Sequence, residues 1–289
     1  MPTKTKKSAV IEETLNTANQ LKEEGKFDEA LPLYEQVLKS SPNNVSALRK
    51  MAGIYEDRED WGQAAQFYQK VIAARPDNAS AYLGLAKTLK QQGDVHGSIA
   101  AYQKAIALKP EQPFRVYLDL AKALSEQDQT DAAIDAYRKL VELKPSAKFE
   151  TQLGDLLQKQ GNLDEAAACY SRALAIQQEA KPEATSKYHV KLGAIHLKQD
   201  RIDEAIASYR QALTVKPDLV SAYKGLGDAF QKKALYDDAI GCYQKANELK
   251  PDSAAMYRSI GDVMLRQGRE AEALDYYRRA LASSSFLIR

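Results

Sequence analysis

The chain has 289 residues, and its 41 lysines and arginines nearly balance 39 acids to leave a net charge of +2. No whole-molecule field therefore draws it to DNA or an anionic membrane, and any electrostatic recognition must be local. No run reaches the roughly 18 apolar residues of a membrane span, and MPTKTKKS opens into polar sequence, so no span and a cytoplasmic location are expected.

Residues 1–10 are expected to form a disordered basic tail, and residues 11–289 a single array. Repeat one covers 11–44, with Ala18, Leu21, Gly25, Ala30, Tyr34 and Pro42 setting the pattern. Repeat two, 45–78, answers with Leu48, Ala52, Tyr55, Ala64, Tyr68 and Pro76, and its second helix opens on Trp61, the only tryptophan. Repeat three, 79–112, has Gly97-Ser98 where an acid-alanine pair is usual, which is expected to weaken that helix start. Repeat four, 113–146, carries one extra residue at its junction. Repeat five, 147–185, lacks a timely proline, so its second helix should run one further turn to about Ala180 before Pro182 ends it. Repeats six to eight cover 186–219, 220–253 and 254–289.

Repeat seven shows the logic most plainly. Tyr223, Gly227 and Phe230 fall at i, i+4 and i+7, and so do Ala239, Tyr243 and Ala246, each set an apolar helical stripe. Asp237 and Asp238 favour a helix start between them, and Lys250-Pro251 a helix stop. Gly227 and Ala239 let two helices approach while the aromatics fill the flanks. One such hairpin cannot bury its own apolar face, so neighbours must stack on it.

The unit resembles the tetratricopeptide repeat (TPR): an aromatic at position four, Leu-Gly at seven and eight, an aromatic at eleven, Ala at twenty, Tyr at twenty-four, Ala at twenty-seven and Pro at thirty-two, in register over nearly the whole chain. The resemblance implies an all-α, right-handed superhelix of about sixteen antiparallel helices in eight repeats. It also implies an interaction platform, not an enzyme. Tyr34, Tyr68, Tyr102, Tyr137, Tyr170, Tyr209, Tyr243 and Tyr277 share position twenty-four, where the family packs an aromatic between helices.

No catalytic centre, metal site or cofactor site is expected. His189 and His196 share a face but stand about 10.5 Å apart along a helix, too far to hold one ion by themselves. Gly225-Leu-Gly227 lies inside a helix without a preceding strand, so helix packing explains it better than a dinucleotide loop. Cys169 and Cys242 occupy one repeat position two repeats apart, too distant to bridge, and are expected as free, half-buried thiols. Asn44-Val-Ser and Asn78-Ala-Ser fit a glycosylation pattern to which the lack of a secretion signal gives little weight.

In the family the first helix of each repeat lines the inner groove. At the groove positions of repeats four to six stand seven basic residues, including Arg115, Lys122, Lys148, Lys187, Lys191 and Lys198, against Asp119, Glu126 and Asp155. With Gln152 and Lys224 these mark a concave partner site, whose natural ligand is a peptide with acidic side chains or a free C-terminal carboxylate. Nucleic acid is a poor candidate. The chaperone carboxylate clamp is absent, since Leu15 with Asn19, Lys50, and Ser80 with Gly84 do not match its Lys, Asn and Arg positions. The array that precedes O-linked N-acetylglucosamine transferase domains uses a position-six asparagine ladder. Here that position holds Asn16, Lys50, Gly84, Asp119, Gln152, Lys191, Gly225 and Ser259.

The leading expectation is a scaffold that binds an extended peptide or a partner helix in this groove. The alternatives are the N-terminal substrate-recruiting arm of a larger glycosyltransferase or methyltransferase continuing past Arg289, and self-assembly through the C-terminal helix. The second alternative rests on Leu274, Leu281 and Phe286 to Ile288, which are expected to be exposed.

Overall fold

The structure, a computed structural model, describes the backbone of residues 2–285 and the side chains of residues 8–283. Among the described residues there are sixteen α-helices and no strand. They pair as α1 (Pro2–Glu23) with α2 (Phe27–Ser40), α3 (Val45–Asp57) with α4 (Trp61–Ala74) and α5 (Ala79–Gln91) with α6 (Val95–Leu108), and α7 (Phe114–Glu126) and α8 (Thr130–Leu143) follow in the chain. Then come α9 (Ala147–Gln160) with α10 (Leu163–Ala180), α11 (Ser186–Lys198) with α12 (Ile202–Val215), α13 (Val220–Lys232) with α14 (Tyr236–Leu249), and α15 (Ala254–Arg266) with α16 (Glu270–Ser285). The chain divides into two compact units, Met1–Ala136 and Tyr137–Arg289, with the boundary inside α8. In the second unit each first helix packs on the second helix of its own repeat, and α11, α13 and α15 also touch the second helix of the repeat before; in the first unit α3, α5 and α7 touch the preceding second helix in the same way.

Proline sets where second helices stop. Ser41, Arg75, Lys109, Lys216 and Lys250 each precede a proline and leave helical geometry at ψ between 83° and 95°, because the proline ring disfavours a helical residue before it. Helix α10 runs to Ala180, where Lys181 leaves the helix and Pro182–Ala184 form a single 3₁₀ turn, the extension expected from the late proline. The amino end differs from expectation. Helix α1 begins at Pro2, so residues read as a disordered tail are helical from the second onward. Proline suits a first helical position because it has no N–H to leave unpaired, and no glycine or further proline follows until Gly25 to stop the helix.

One turn recurs in all eight hairpins. Position fifteen is left-handed in every repeat, at Gly25, Glu59, Gly93, Asp128, Gly161, Asp200, Ala234 and Gly268, with φ between 54° and 89°. Around it the backbone closes a Schellman motif: Gly25 N–H donates to the Lys22 carbonyl at 3.0 Å and Lys26 N–H to the Leu21 carbonyl at 2.9 Å. Glycine takes this conformation freely, whereas a residue with a Cβ pays about 1–2 kcal/mol for it. Helix starts are capped where the sequence allows, as when Asp60 and Asp94 accept from Gln63 N–H and Gly97 N–H at 3.1 and 2.9 Å. Asn44 and Asn78, the two glycosylation-pattern residues, serve as N-caps for Ala47 and Ala81.

The position-twenty-four tyrosines hold the stack. Seven of the eight are at most 7 % exposed and Tyr277 is half-buried. Five of the hydroxyls reach back to the first helix of the same repeat, at position nine or twelve: Tyr34 donates to Asn19 at 2.9 Å, Tyr68 to Glu56 at 2.8 Å, Tyr170 to Asp155 at 2.6 Å, Tyr243 to Asp228 at 2.8 Å and Tyr277 to Asp262 at 2.7 Å. Each hydroxyl must leave water to be buried, so the bond offsets a desolvation cost. Tyr102 differs, for its hydroxyl is buried without a partner. We therefore expect Tyr243→Phe to lower unfolding stability by about 1–2 kcal/mol and Tyr102→Phe to leave it unchanged or raised, as read from urea denaturation. An equal loss in both would show that the hydroxyls do not carry this load.

Two of the cores follow this pattern. One gathers Tyr34, Leu48, Met51, Ile54 and Val71 in the first unit, and another Tyr209, Phe230, Tyr243, Ile260 and Met264 in the second. On the last helix Leu274 and Leu281 are 51 % and 70 % exposed, as expected, while Phe286 to Ile288 lie outside the described residues.

Candidate functional site

The expected groove residues fall on first helices, the charged ones with their polar ends outside the cores. Arg115 and Lys122 stand exposed on α7 in the first unit. The second unit carries Lys148, Gln152 and Asp155 on α9, Lys187, Lys191 and Lys198 on α11, and Lys224 on α13. Helix α10 packs against both α9 and α11, and α11 touches α13, so these three helices form one continuous side of the second unit.

That side is less uniformly positive than its composition. Lys191 Nζ lies 2.6 Å from Asp155 Oδ1, which also accepts from the Tyr170 hydroxyl at 2.6 Å, and the ammonium rests 5.1 Å from the Tyr170 ring centre. Lys224 pairs with Asp228 at 2.7 Å while Tyr243 uses the other oxygen of that carboxylate. Lys187 lies over its neighbour Tyr188, 4.8 Å from the ring centre, a contact that leaves the ammonium hydrated on one side. Lys148 and Lys198 are exposed and form no ion pair among the described residues. Exposed pairs such as these are worth at most about 1 kcal/mol, so an incoming anion can exchange with Asp155 or Asp228 at little cost. The Oε1 atom of Gln152, among these residues, is buried and accepts no hydrogen bond.

Sequence reasoning missed a buried ion pair beside this side. Glu150, 5 % exposed, is held by Arg172 in a two-pronged contact, Nε to Oε1 at 2.8 Å and Nη2 to Oε2 at 3.0 Å, and the same guanidinium lies 3.1 Å from Cys169 Sγ. The signal was an acid at position four, where other repeats place Leu48, Tyr82, Tyr223 or Tyr257. Both cysteines are free, Cys169 buried and Cys242 half-buried. Burial pushes both thiols up to about 11, Arg172 opposing the shift at Cys169. Neither is a thiolate near neutrality.

Burial also lifts the tyrosines, Tyr34 and Tyr209 to about 12 and Tyr170 and Tyr243 further, the last two with help from Asp155 and Asp228. A group raised in the fold stabilises it fully below the unfolded value, near about 10 for tyrosine, and loses that contribution as pH climbs toward the folded value. Melting temperature should thus hold level to about pH 9 and fall steeply between about pH 10 and 12. A level profile across that window would contradict the burial of these hydroxyls. His189 moves the other way, lowered by burial, and His196 Nδ1 lies 3.3 Å from Ser208 Oγ.

Among the described residues no group of three or more His, Cys, Asp and Glu could hold a metal ion, and no helix is long and apolar enough to cross a membrane. The arrangement offers a charged, partly hydrated helical side that can exchange ion pairs.

Comparison with known proteins agrees with the hairpin geometry. The tetratricopeptide-repeat family model matches residues 15–79, 55–113 and 83–148, and the model described as the Cilia and flagella-associated protein 70 C-terminal domain matches residues 140–283. The chain belongs to the tetratricopeptide-repeat proteins. No curated protein matches it by sequence. Among solved structures, that of MamA is 22 % identical over 58 % of this chain and 96 % of its own, with a TM-score of 0.52. YrrB is 18 % identical over 65 % of this chain and 95 % of its own, with a TM-score of 0.51. A chain of the Naa15/Naa10 complex bound to HypK-THB is 16 % identical over 88 % of this chain, has a TM-score of 0.69, and is itself covered to 39 %. At these identities the likeness is one of fold.

Proposed function

We propose that the chain is a non-enzymatic interaction scaffold that binds an extended peptide or a partner helix along α9, α11 and α13. The partner presents acidic side chains or a free C-terminal carboxylate. The observation that carries this reading is the placing of Lys148, Lys187 and Lys198, exposed and without carboxylate partners, on helices whose opposite faces are packed into the core. An acidic ligand gains these three ammoniums directly and can take Lys191 from Asp155. YrrB, which shares the fold, is a TPR protein with an unusual peptide-binding site. Two free thiols fit a reducing, cytoplasmic compartment.

Affinity capture from cell lysate with the intact chain, beside a Lys148→Glu, Lys187→Glu, Lys191→Glu variant, tests the reading. Partners that are retained by the intact chain and lost from the variant are expected. Identical sets of retained proteins would end the proposal for this face.

A further inference from the structure

Between the second helices of repeats seven and eight runs a groove that the chain closes with a ring of its own. Its floor is Tyr257 and Ile260 on α15, one wall is Gln244 and Asn247 on α14, and Tyr276 on α16 stands across from them. The Tyr276 ring lies 6.2 Å from that of Tyr257, tilted by 46°, and the opening left beside it is about 250 Å³. Tyr276 is position twenty-three of its repeat. Repeat two also has an aromatic there, Phe67, stacked 5.4 Å from Tyr55.

Repeat four keeps the floor and omits the ring. Counted from Phe114, the first residue of α7, Tyr117 is at position four and Leu120 at seven, matching Tyr257 and Ile260, but position twenty-three is Ala136. Position nineteen is Ala132, where other repeats have Gln63, Glu165 and Glu272. With both side chains cut to a methyl, a cleft of about 360 Å³ opens between α6 and α8, entirely within the first unit, over Tyr117, Leu120 and Leu124 and beside Ile106. The floor is already in place, since those three residues are buried and the Tyr117 hydroxyl is tied to the Pro110 carbonyl at 2.6 Å. No aromatic ring stacks on Tyr117 among the described residues.

A cleft of this volume and apolar lining has the character of a ligand site, and water on such a floor finds few hydrogen bonds, so a ring that displaces it gains. Acceptor oxygens stand only at the mouth, on the exposed side chains of Gln103 and Asp135. We propose that this cleft is a docking socket for one aromatic side chain of a partner polypeptide, best a tyrosine. Its ring takes the place against Tyr117 that Tyr276 takes against Tyr257, and its hydroxyl turns outward to Gln103 or Asp135. Recognition here is apolar and opens on the second-helix side, so it does not depend on the lysines of α9, α11 and α13, and either reading can fail alone.

The full-length chain is titrated with short end-blocked peptides, uncharged so that the lysines have no call on them, that differ only in a central Tyr, Leu or Ala. Methyl NMR of Ile106, Leu120 and Leu124 reads the floor, and free p-cresol is titrated alongside. Saturable shifts with the Tyr peptide are expected, at a Kd of about 1–10 mM for one buried ring, severalfold weaker with Leu and absent with Ala. Ala136→Phe returns a ring to position twenty-three and should abolish the response while the chain stays folded. Ala132→Leu, at a partly exposed position that tolerates bulk, should weaken it about fivefold or more and carries the test if Ala136→Phe does not fold. The Lys148, Lys187 and Lys191 charge reversal should leave the response intact. The proposal is overturned if the Tyr peptide gives no saturable shift at these methyls, if the Ala peptide responds equally, if p-cresol binds and the Tyr peptide does not, or if the folded cleft variants respond as the parent does.

Discussion

Replacing Arg172 with alanine is expected to lower the stability of the second unit by about 2 kcal/mol, because it strips the buried Glu150 carboxylate of the guanidinium that holds both its oxygens. A fully buried pair broken on one side costs about 3–5 kcal/mol; here half of Arg172 faces water and solvent replaces part of the loss. The reverse change should behave differently. Glu150→Leu puts at position four the residue type found at Leu48, and frees an arginine that already has access to water, so a cost below about 1 kcal/mol or a slight gain is expected. Adding Glu150→Leu to Arg172→Ala should recover most of the loss, and a double-mutant cycle by urea unfolding reads the coupling. Equal losses from both single changes would mean that the carboxylate is not the stranded group.

The second large effect concerns two glycines of repeat seven that look alike in sequence. A Cβ on Gly225 would lie 2.2 Å from Tyr209 Cζ and 2.7 Å from its hydroxyl, and that ring is 3 % exposed with nowhere to swing. A Cβ on Gly241, exposed inside α14, would meet nothing within 4 Å. We expect Gly225→Ala to cost about 1–3 kcal/mol by overpacking. Gly241→Ala should gain about 0.5–1 kcal/mol by restricting the unfolded chain and improving helix propensity. Opposite signs in thermal melts check the pair, and a shared sign would show that ring contact does not decide the outcome. The same crowding recurs at Gly84 against Tyr68, so an open position six is what lets the preceding tyrosine lean across into the next repeat.

These cases show which levels of the structure can be read from residues. Helix limits were legible because proline spacing and apolar period act locally, and α10 ends at Ala180 because Pro182 comes late. The amino-terminal helix was not, since a short polar segment without breakers is compatible with either order or disorder. Half the left-handed turns were visible as glycines, but Glu59, Asp128, Asp200 and Ala234 adopt the same conformation through the hairpin around them. The groove lysines stand on the expected helices. What composition could not show is that Asp155 draws in Lys191, a residue from the next repeat, and that Asp228 draws in Lys224, because charge counting ignores distance.

Lysine footprinting by acetylation, with and without the captured partner, addresses the binding face most directly. Bound partner should shield Lys148, Lys187 and Lys198 on α9 and α11 while Lys245 on α14 and Lys216, which follows α12, react as in the free chain. Protection confined to Lys216 and Lys245, with the first-helix lysines unchanged, would place recognition on the opposite side of the repeats and contradict the account.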